Sequence, residues 1–112
     1  MTDNIFLKII NKELPADIIY EDDISIAFND ISPQAPVHIL IIPKKVIDKL
    51  SESTEEDENL LGHLLVVAKK ITEEKNIKDY RLVINNGVEA GQTVFHLHIH
   101  ILAGRTFGWP PG

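Results

Sequence analysis

The sequence predicts an α+β domain in which a five-stranded antiparallel sheet carries one short and one long helix on one face. One observation is a long stretch after residue 53 whose apolar side chains recur with the period of an amphipathic helix. Another is a set of short, β-branched apolar segments that are typical of strands. Most of these segments are joined by short connections, which favours antiparallel pairing because parallel strands need long crossovers.

The first half of the chain alternates short predicted elements with turn-forming residues. Ile5, Phe6, Ile9 and Ile10 give one segment a broad apolar face, and Pro15 prevents its continuation as a helix. An acidic turn then separates two strand-like segments, and two prolines stiffen the loop at 30–36. The predicted elements are, in order, a helix at 5–11, strands at 18–20, 24–29 and 37–42, and one helical turn at 47–50.

The second half of the chain contains the strongest helix signal, which covers residues 54–75. Ser53 with Glu56 would form a capping box at its start, and Thr54 with Asp57 is the alternative one residue later. Strands are predicted at 80–85 and 93–102, on either side of a glycine-bearing loop. The predicted buried stripe of the helix consists of Leu60, Leu61, Leu64, Leu65, Ala68 and Ile71.

Length, composition and charge exclude several classes of protein. The chain has 112 residues, the size of one domain, and its 44% hydrophobic content is too high for a mainly disordered protein. It has no cysteine, which excludes disulfide frameworks, iron–sulfur clusters and cysteine nucleophiles. The net charge of −6 disfavours binding to DNA or RNA. Because no secretory signal or membrane span is evident, we expect a cytoplasmic protein without a membrane partner.

Three of the five histidines lie at alternate positions, His96, His98 and His100. In a strand this spacing places all three on one face, which is an unusual composition for an ordinary solvated sheet face. Of the other two, His38 lies inside an apolar strand, and His63 is interpreted as a structural residue of the long helix. The residues between the triad histidines, which would face the core, are Leu97, Ile99 and Ile101.

Two functional interpretations of this histidine row remain open. Alternate strand residues are ~6.6 Å apart and Zn–N bonds are only ~2.0–2.1 Å long, so one zinc ion would take two of them plus His38 or a carboxylate. The other interpretation is phosphate chemistry, because neutral imidazole can attack phosphorus or donate a proton to an oxyanion at physiological pH. We favour the second interpretation because three aligned imidazoles can share these roles along one extended substrate.

Residues 96–102, His-Leu-His-Ile-His-Ile-Leu, resemble the histidine triad motif, in which three histidines alternate with apolar residues. The resemblance covers almost the whole chain. It is closest to the Hint branch of the histidine triad (HIT) superfamily, the histidine triad nucleotide-binding proteins. Besides the triad, it rests on residues 5–10 (IFLKII), residues 30–36 (DISPQAP), Asn85, Gly91-Gln92 and residues 108–112 (GWPPG).

The resemblance implies a hydrolase that needs no metal or other cofactor. It would cleave the P–N bond of purine nucleoside 5′-phosphoramidates and release a nucleoside monophosphate (AMP or GMP) and an amine. His98 would attack the α-phosphorus to form a covalent nucleotidyl-histidine, which water then hydrolyses. The His96 carbonyl is the implied acceptor for the second His98 nitrogen, His100 would donate to a phosphate oxygen, and His38 would complete the catalytic cluster.

A glycine-containing loop before the triad is the implied phosphate-binding element. Backbone N–H groups of Gly91, Gln92 and Thr93 would hold the anion, and the Thr93 hydroxyl would assist catalysis at the departing amine. Thr93 stands where serine is usual in this branch, and Ala90 stands where glycine is usual. We expect the hydroxyl to keep its role, although its added methyl group stiffens the side chain.

The resemblance also assigns residues to the nucleoside end of the substrate. Asp30 would accept hydrogen bonds from the ribose 2′ and 3′ hydroxyls, and Asn85 would lie near the ribose or the phosphate. A slot for the purine base is implied to consist of Phe6, Ile9, Phe28, Ile31 and Leu40. Each of these apolar residues alone could equally be a core residue, so only the whole set indicates such a slot.

The implied quaternary structure is a homodimer in which two sheets join into one ten-stranded sheet. The helical segment 60–71 would contribute to the interface, and Trp109 of the tail would reach towards the partner's active site. Alternatives are a dinucleoside polyphosphate hydrolase, which the WPPG tail disfavours, a nucleotidyltransferase, a zinc-dependent site, and a nucleotide- or partner-binding module without catalytic function.

Overall fold

The computed structural model describes residues 4–112, which form two α-helices, three 3-10 helices and one five-stranded sheet. Helix α1 spans Ile5–Ile10 and helix α2 spans Glu58–Glu74. Neither helix in this part of the chain is long and apolar enough to cross a membrane. The strands are β1 (Ile18–Glu21), β2 (Ser25–Asn29), β3 (Val37–Pro43), β4 (Arg81–Val83) and β5 (Ile99–Ala103), and the 3-10 helices are Leu50–Glu52, Glu55–Asp57 and Val88–Ala90.

The sheet has the strand order β1-β2-β3-β5-β4 and every pair is antiparallel, which confirms the predicted sheet. Strand β3 lies at the centre, and six of its seven residues are buried. Its pairing with β5 places His38 opposite Leu102 and Leu40 opposite His100. Opposed residues and residues two apart share a face, so His38, Leu40 and His100 project from the same side of the sheet.

The two helices lie on opposite faces of the sheet, so the expectation that both cover one face is wrong. Alternation along β2 and β3 directs Ala27 and Ile39 to the α2 side, and Phe28 and Leu40 to the α1 side. Each helix buries its apolar side chains in a separate cluster. The face covered by α1, a helix of only six residues, leaves room for a cavity.

The buried side of α2 differs in part from the predicted stripe. Val67 is buried, whereas Leu65 is 51% exposed and the neighbouring Val66 is 48% exposed. The α-helical hydrogen bonds begin only at Glu58, after a 3-10 turn in which the backbone N–H of Thr54 donates to Asp57 Oδ2 at 2.9 Å. Leu60 and Leu61 of the predicted stripe are partly buried against the cluster on the α2 side, so only Leu65 leaves the predicted face. The residues that the helix buries are Leu64, Val67, Ala68, Ile71 and Thr72.

His63 connects α2 to the turn between β1 and β2, in keeping with a structural role. Its Nε2 donates to Asp22 Oδ2 at 2.7 Å, and the hydroxyl of Tyr20 donates to the same oxygen at 2.7 Å. The backbone N–H and the hydroxyl of Ser25 donate to Asp22 Oδ1. Burial alone would raise the pKa of Asp22, but these hydrogen bonds hold that pKa far below its usual range.

The histidine strand predicted at 93–102 is regular only from Ile99 to Ala103. The residues that precede Ile99 lie next to β3, but they form other hydrogen bonds in place of the regular ladder between strands. His96 Nε2 donates to the Pro43 carbonyl at 2.8 Å, and the Leu97 N–H donates to the Ile47 carbonyl at 2.7 Å. Pro43 has no N–H to offer the ladder, so regular pairing ends there. Two other elements differ from their predicted bounds. The strand predicted at 80–85 spans only Arg81–Val83, and the helical turn predicted at 47–50 lies at Leu50–Glu52.

Candidate active site

A cavity of about 730 Å³ lies on the α1 side of the sheet, where β3 and β5 meet. Helix α1, the loops after β2 and before β5, and the sheet itself supply its walls. Apolar side chains form one end, and a carboxylate and three imidazoles form the other. The lining residues are Ile5, Phe6, Ile9, Leu14, Pro15, Ala16, Phe28, Asn29, Asp30, Ile31, Ser32, Gln34, His38, Leu40, Gly91, Thr93, Val94, His98 and His100.

His98 lies at the polar end with one ring nitrogen committed. Its Nδ1 is 2.7 Å from the His96 carbonyl oxygen, which can only accept, so Nδ1 carries the proton. The Nε2 atom therefore has a free lone pair. Burial lowers the pKa of His98, against the opposing effect of the bond to His96. A neutral imidazole with a fixed tautomer is the form required of a histidine nucleophile.

His38 and His100 form a hydrogen-bonded relay whose direction is set by a backbone amide. The Gln34 N–H donates to His38 Nδ1 at 3.0 Å, so the His38 proton lies on Nε2. His38 Nε2 is 2.8 Å from His100 Nδ1 and donates to it, which leaves the His100 proton on Nε2. Within residues 4–112, His100 Nε2 is the one buried side-chain nitrogen or oxygen without a hydrogen-bond partner. The relay therefore ends at the His100 Nε2–H, a buried donor that has no acceptor among the described residues.

Electrostatics keep this relay uncharged. Burial, together with the nearby His98 and His38, lowers the pKa of His100 to about 4, while Asp30 opposes them. Burial also lowers the pKa of His38 despite Asp30. Neutral rings preserve the single proton on each histidine, and hence the donor at His100 Nε2, across the physiological range of pH.

Asp30, His38 and His100 each offer an atom within 4.8 Å of the other two, which is the spacing of a possible metal site. The His38 nitrogen that faces the other two groups is Nε2. A metal ion there would need the Nε2 lone pair, and the proton would then have to move to Nδ1, against the Gln34 N–H. The hydrogen bonds of this cluster therefore suit a proton relay better than a zinc site.

The His96 side chain lies outside the cavity lining. It is fully buried behind His98, with Nδ1 at 2.8 Å from Asn4 Nδ2 and Nε2 at 2.8 Å from the Pro43 carbonyl. Both ring nitrogens are thus engaged within the protein. Its contribution to the cavity is the backbone carbonyl that holds His98.

The loop before β5 differs from the expected phosphate-binding arrangement. Gly91, with φ of +98°, and Thr93 line the cavity. The Gly91 N–H donates to Val88 and the Gln92 N–H donates to Gly87, so both amides are occupied. The Gln92 side chain is 3% exposed and is also occupied, because it bonds the Gly87 N–H and the Asp48 and Val94 carbonyls. In this structure Gln92 therefore offers neither a free side-chain group nor a free backbone N–H to a nucleotide.

Asn85 likewise lies outside the cavity lining. Its side chain is partly exposed, and its Nδ2 would be 4.0 Å from a Cβ atom built on Gly91, so Asn85 lies next to a residue of the cavity wall. The contact between Asn85 and a ribose or phosphate stays a prediction.

The predicted nucleoside residues come together at the other end of the cavity. Phe6, Ile9, Phe28 and Leu40 are buried and pack in one cluster, whereas Ile31 is 96% exposed at the mouth. Phe6 also meets the His98 ring edge-on, with centroids 4.9 Å apart. Asp30 accepts from the Ser32 N–H at 2.8 Å, and its other oxygen is 3.5 Å from His38 Nε2. Lining residues that sequence reasoning missed are Ile5, Leu14, Pro15, Ala16, Asn29, Ser32, Gln34 and Val94.

Comparisons with known proteins agree on one family. The sequence profile of the HIT domain family matches residues 11–107. A HIT-like protein of Synechocystis is 62% identical over 111 residues, which cover 98% of this chain and 97% of that protein. Among solved structures, a HIT family hydrolase from Legionella pneumophila superposes with a TM-score of 0.95 at 44% identity, covering 98% of this chain and 100% of that one. A histidine triad nucleotide-binding protein from Candida albicans gives 0.84 at 34% identity, with 96% and 83% covered. This chain belongs to the HIT domain family.

Proposed function

We propose that this chain hydrolyses purine nucleoside 5′-phosphoramidates, releasing AMP or GMP and an amine. The observation that carries the proposal is the pairing of two complementary nitrogens in one cavity. His98 Nε2 has a free lone pair, and His100 Nε2 carries a proton without a partner. The two ring centroids are 5.0 Å apart, which suits attack on phosphorus by one ring and support of a phosphate oxygen by the other.

The proposed reaction has two displacements at the same phosphorus atom. The His98 lone pair forms a bond to the α-phosphorus, and the P–N bond to the amine breaks. The departing nitrogen takes a proton from solvent through the Thr93 hydroxyl at the cavity wall, so that the amine leaves neutral. Water then attacks the nucleotidyl-histidine and releases its proton to solvent, the bond to His98 breaks and restores the lone pair on Nε2, and the monophosphate leaves. His100 Nε2 donates to the non-bridging oxygen whose negative charge grows in each transition state.

The nucleoside end of the cavity supports a nucleotide substrate. A purine ring would lie between the buried Phe6 and Phe28 cluster and the exposed Ile31, where contact needs no base-specific hydrogen bond. Asp30 lies between this apolar end and the histidines, the position expected for a ribose ligand. The likeness to a histidine triad nucleotide-binding protein of Candida albicans also favours such a substrate.

Two alternative functions use the same cavity. A dinucleoside polyphosphate hydrolase would use the same attack but expel a nucleotide rather than an amine. A nucleotide-binding module would occupy the apolar end without turnover. We favour the phosphoramidase of the Hint branch because the DISPQAP and WPPG segments both resemble that branch.

A substrate comparison tests the proposed function. Adenosine 5′-phosphoramidate and diadenosine tetraphosphate are incubated separately with the protein in excess EDTA, and AMP release is followed by chromatography. We expect turnover of the phosphoramidate to exceed that of the dinucleotide by at least about tenfold, and EDTA to have no effect because histidine is the nucleophile. Preferred cleavage of the dinucleotide would support the polyphosphate hydrolase. AMP binding without turnover of either would leave a binding module, and loss of activity with EDTA would favour a metal site.

We also propose that two copies of the chain pair through α2 and β4. Strand β4 is an edge of the sheet, and Leu65 and Val66 expose apolar side chains on the outer side of α2. Pairing of two β4 edges would give the ten-stranded sheet of a homodimer. In this arrangement Trp109, which is 82% exposed and lies against Arg81 of β4, would be carried towards the partner.

The dimer predicts a specific response to surface substitution. Changing Leu65 to Lys should convert the protein from dimer to monomer in analytical ultracentrifugation, because it places two charges in an apolar interface. Lys70 is an exposed residue of the same helix, and Lys70→Glu serves as the matched surface control. A wild-type protein that sediments as a monomer at micromolar concentration would contradict the proposed dimer.

A further inference from the structure

Asn4 is the residue that precedes α1, and its side chain bonds in two directions. Its Oδ1 accepts from the Phe6 N–H at 3.0 Å and from the Leu7 N–H at 3.1 Å, which is an N-cap. Its Nδ2 lies 2.8 Å from His96 Nδ1, across 92 residues of sequence. One amide group therefore connects the start of α1 to the histidine behind the proposed nucleophile.

The two capping bonds fix the orientation of the Asn4 amide. Backbone N–H groups can only donate, so the atom that faces them is the oxygen and the atom that faces His96 is the NH2 group. His96 Nδ1 must then accept, and its proton lies on Nε2, where it donates to the Pro43 carbonyl. Asn4 and the Pro43 carbonyl thereby favour the same tautomer of a ring that is fully buried.

His96 carries the carbonyl that holds His98 Nδ1 at 2.7 Å. The His96 ring is anchored to α1 at one nitrogen and to the end of β3 at the other, so its backbone has little freedom to shift. We propose that Asn4 is a positioning residue, which keeps His96 neutral and in the Nε2–H tautomer so that the His96 carbonyl orients His98 for attack. The proposal rests on the proposed function, in which His98 is the nucleophile.

Asn4 has a second role that a test must separate from the first. As the N-cap it supports α1, which places Phe6 and Ile9 in the wall of the nucleoside end. Serine caps helices as well as asparagine does, but its side chain is too short to cap α1 and reach His96 together. Asn4→Ser therefore keeps the cap and removes the donor. Asn4→Asp keeps the cap and places a carboxylate against His96 Nδ1.

The test measures kcat, KM and the imidazole nitrogen NMR signals of the wild type and of each variant. Asn11→Ser is the matched control, because it makes the same change at the other end of α1, where Asn11 is exposed. Asn4→Ser should lower kcat about tenfold with KM nearly unchanged, since misorientation of a reacting group costs rate more than binding. The His96 Nδ1 signal should shift towards that of a ring nitrogen without a hydrogen-bond donor, while the Pro43 carbonyl keeps the proton on Nε2.

Asn4→Asp should have the larger effect. A carboxylate beside Nδ1 favours a proton there, so His96 becomes a cation next to His98 and the pKa of His96 is raised relative to the wild type. We expect kcat to fall further than in Asn4→Ser, with a pH dependence that the wild type lacks. Asn11→Ser should match the wild type in every measurement.

The proposal is overturned if Asn4→Ser keeps kcat within about twofold of the wild type, or if its His96 Nδ1 signal is unchanged. The proposal stands only if both kcat and this signal change. If the wild type itself turns over no phosphoramidate, the proposed function fails. The NMR comparison still shows in that case whether Asn4 donates to His96 Nδ1.

Discussion

Replacing His98 with Asn is expected to lower kcat for an adenosine 5′-phosphoramidate by at least about 10³-fold, since loss of a covalent nucleophile removes the reaction path. Asparagine can still donate to the His96 carbonyl, so it preserves local structure while lacking a nucleophilic nitrogen. No other triad nitrogen of the described residues can replace it. Both nitrogens of His96 are engaged, and His100 has an occupied Nδ1 and a protonated Nε2.

Binding should survive this substitution. The apolar cluster of Phe6 and Phe28 is independent of the His98 lone pair, so AMP should bind the variant with a dissociation constant close to that of the wild type. A trapped nucleotidyl adduct, detected by mass spectrometry after acid-free quenching, should appear in the wild type and be absent from the variant. His63→Gln is the histidine control, because His63 lies on α2 and bonds Asp22 outside the cavity. Turnover by His98→Asn within about tenfold of the wild type would show that water attacks phosphorus directly.

The strands were predictable where their side chains met only apolar neighbours. The β-branched run of β3 is buried on both faces, and local composition was sufficient to identify it. Residues 93–98 were predicted as part of a strand, but the hydrogen bonds of His96 and Leu97 go to Pro43 and Ile47 instead of a ladder. Those partners lie more than 40 residues away, so no local pattern could indicate them. The side of the sheet that each helix covers also depended on long-range packing.

The residues of the candidate site likewise fall into two groups, those that the local sequence indicated and those whose position depends on distant partners. The spacing of the triad indicated the face occupied by His98 and His100, because period two is a property of the extended chain itself. The Gln92 side chain is absent from the cavity lining because it bonds Asp48 and Gly87, partners that a sequence motif does not indicate. The role of Gln34 depends on a backbone amide, so the identity of its side chain carried no signal. Asn4 did carry one, since asparagine before an apolar helical segment is a common N-cap.

Mild acid is expected to destabilise the fold before it protonates the carboxylates. The pKa of His100 is held at about 4 by burial and by the nearby His98 and His38, whereas an unfolded histidine titrates near ~6.5. At pH values between these two pKa values, His100 is protonated in the unfolded chain but stays neutral in the folded chain. The free energy of unfolding must therefore decrease as the pH falls through this window, and His100 contributes nothing to the pH dependence above it.

The other buried histidines act with the same sign. Burial lowers the pKa of His38, of His96 and of His98, so each also resists protonation in the folded state. His100 alone should account for about 1–2 kcal/mol at pH 5, after allowance for its partial contact with solvent. The other three add to this with the same sign, so we expect unfolding to become easier between pH 7.5 and pH 5 by more than His100 alone provides.

Urea denaturation at these two pH values measures the difference, and His100→Gln provides the comparison. That variant lacks one titrating group, so its unfolding free energy should depend less steeply on pH than that of the wild type. The carboxylates contribute to the pH dependence of stability at lower pH than the histidines. The pKa values of Glu21 and Asp57 are lowered in the folded state, so these groups affect the free energy of unfolding only below about pH 4–5, where the unfolded chain takes up their protons. Equal stability at pH 7.5 and pH 5 would mean that the histidines accept protons in the folded state. The neutral relay from His38 to His100, and the free lone pair on His98, would then not persist into mild acid.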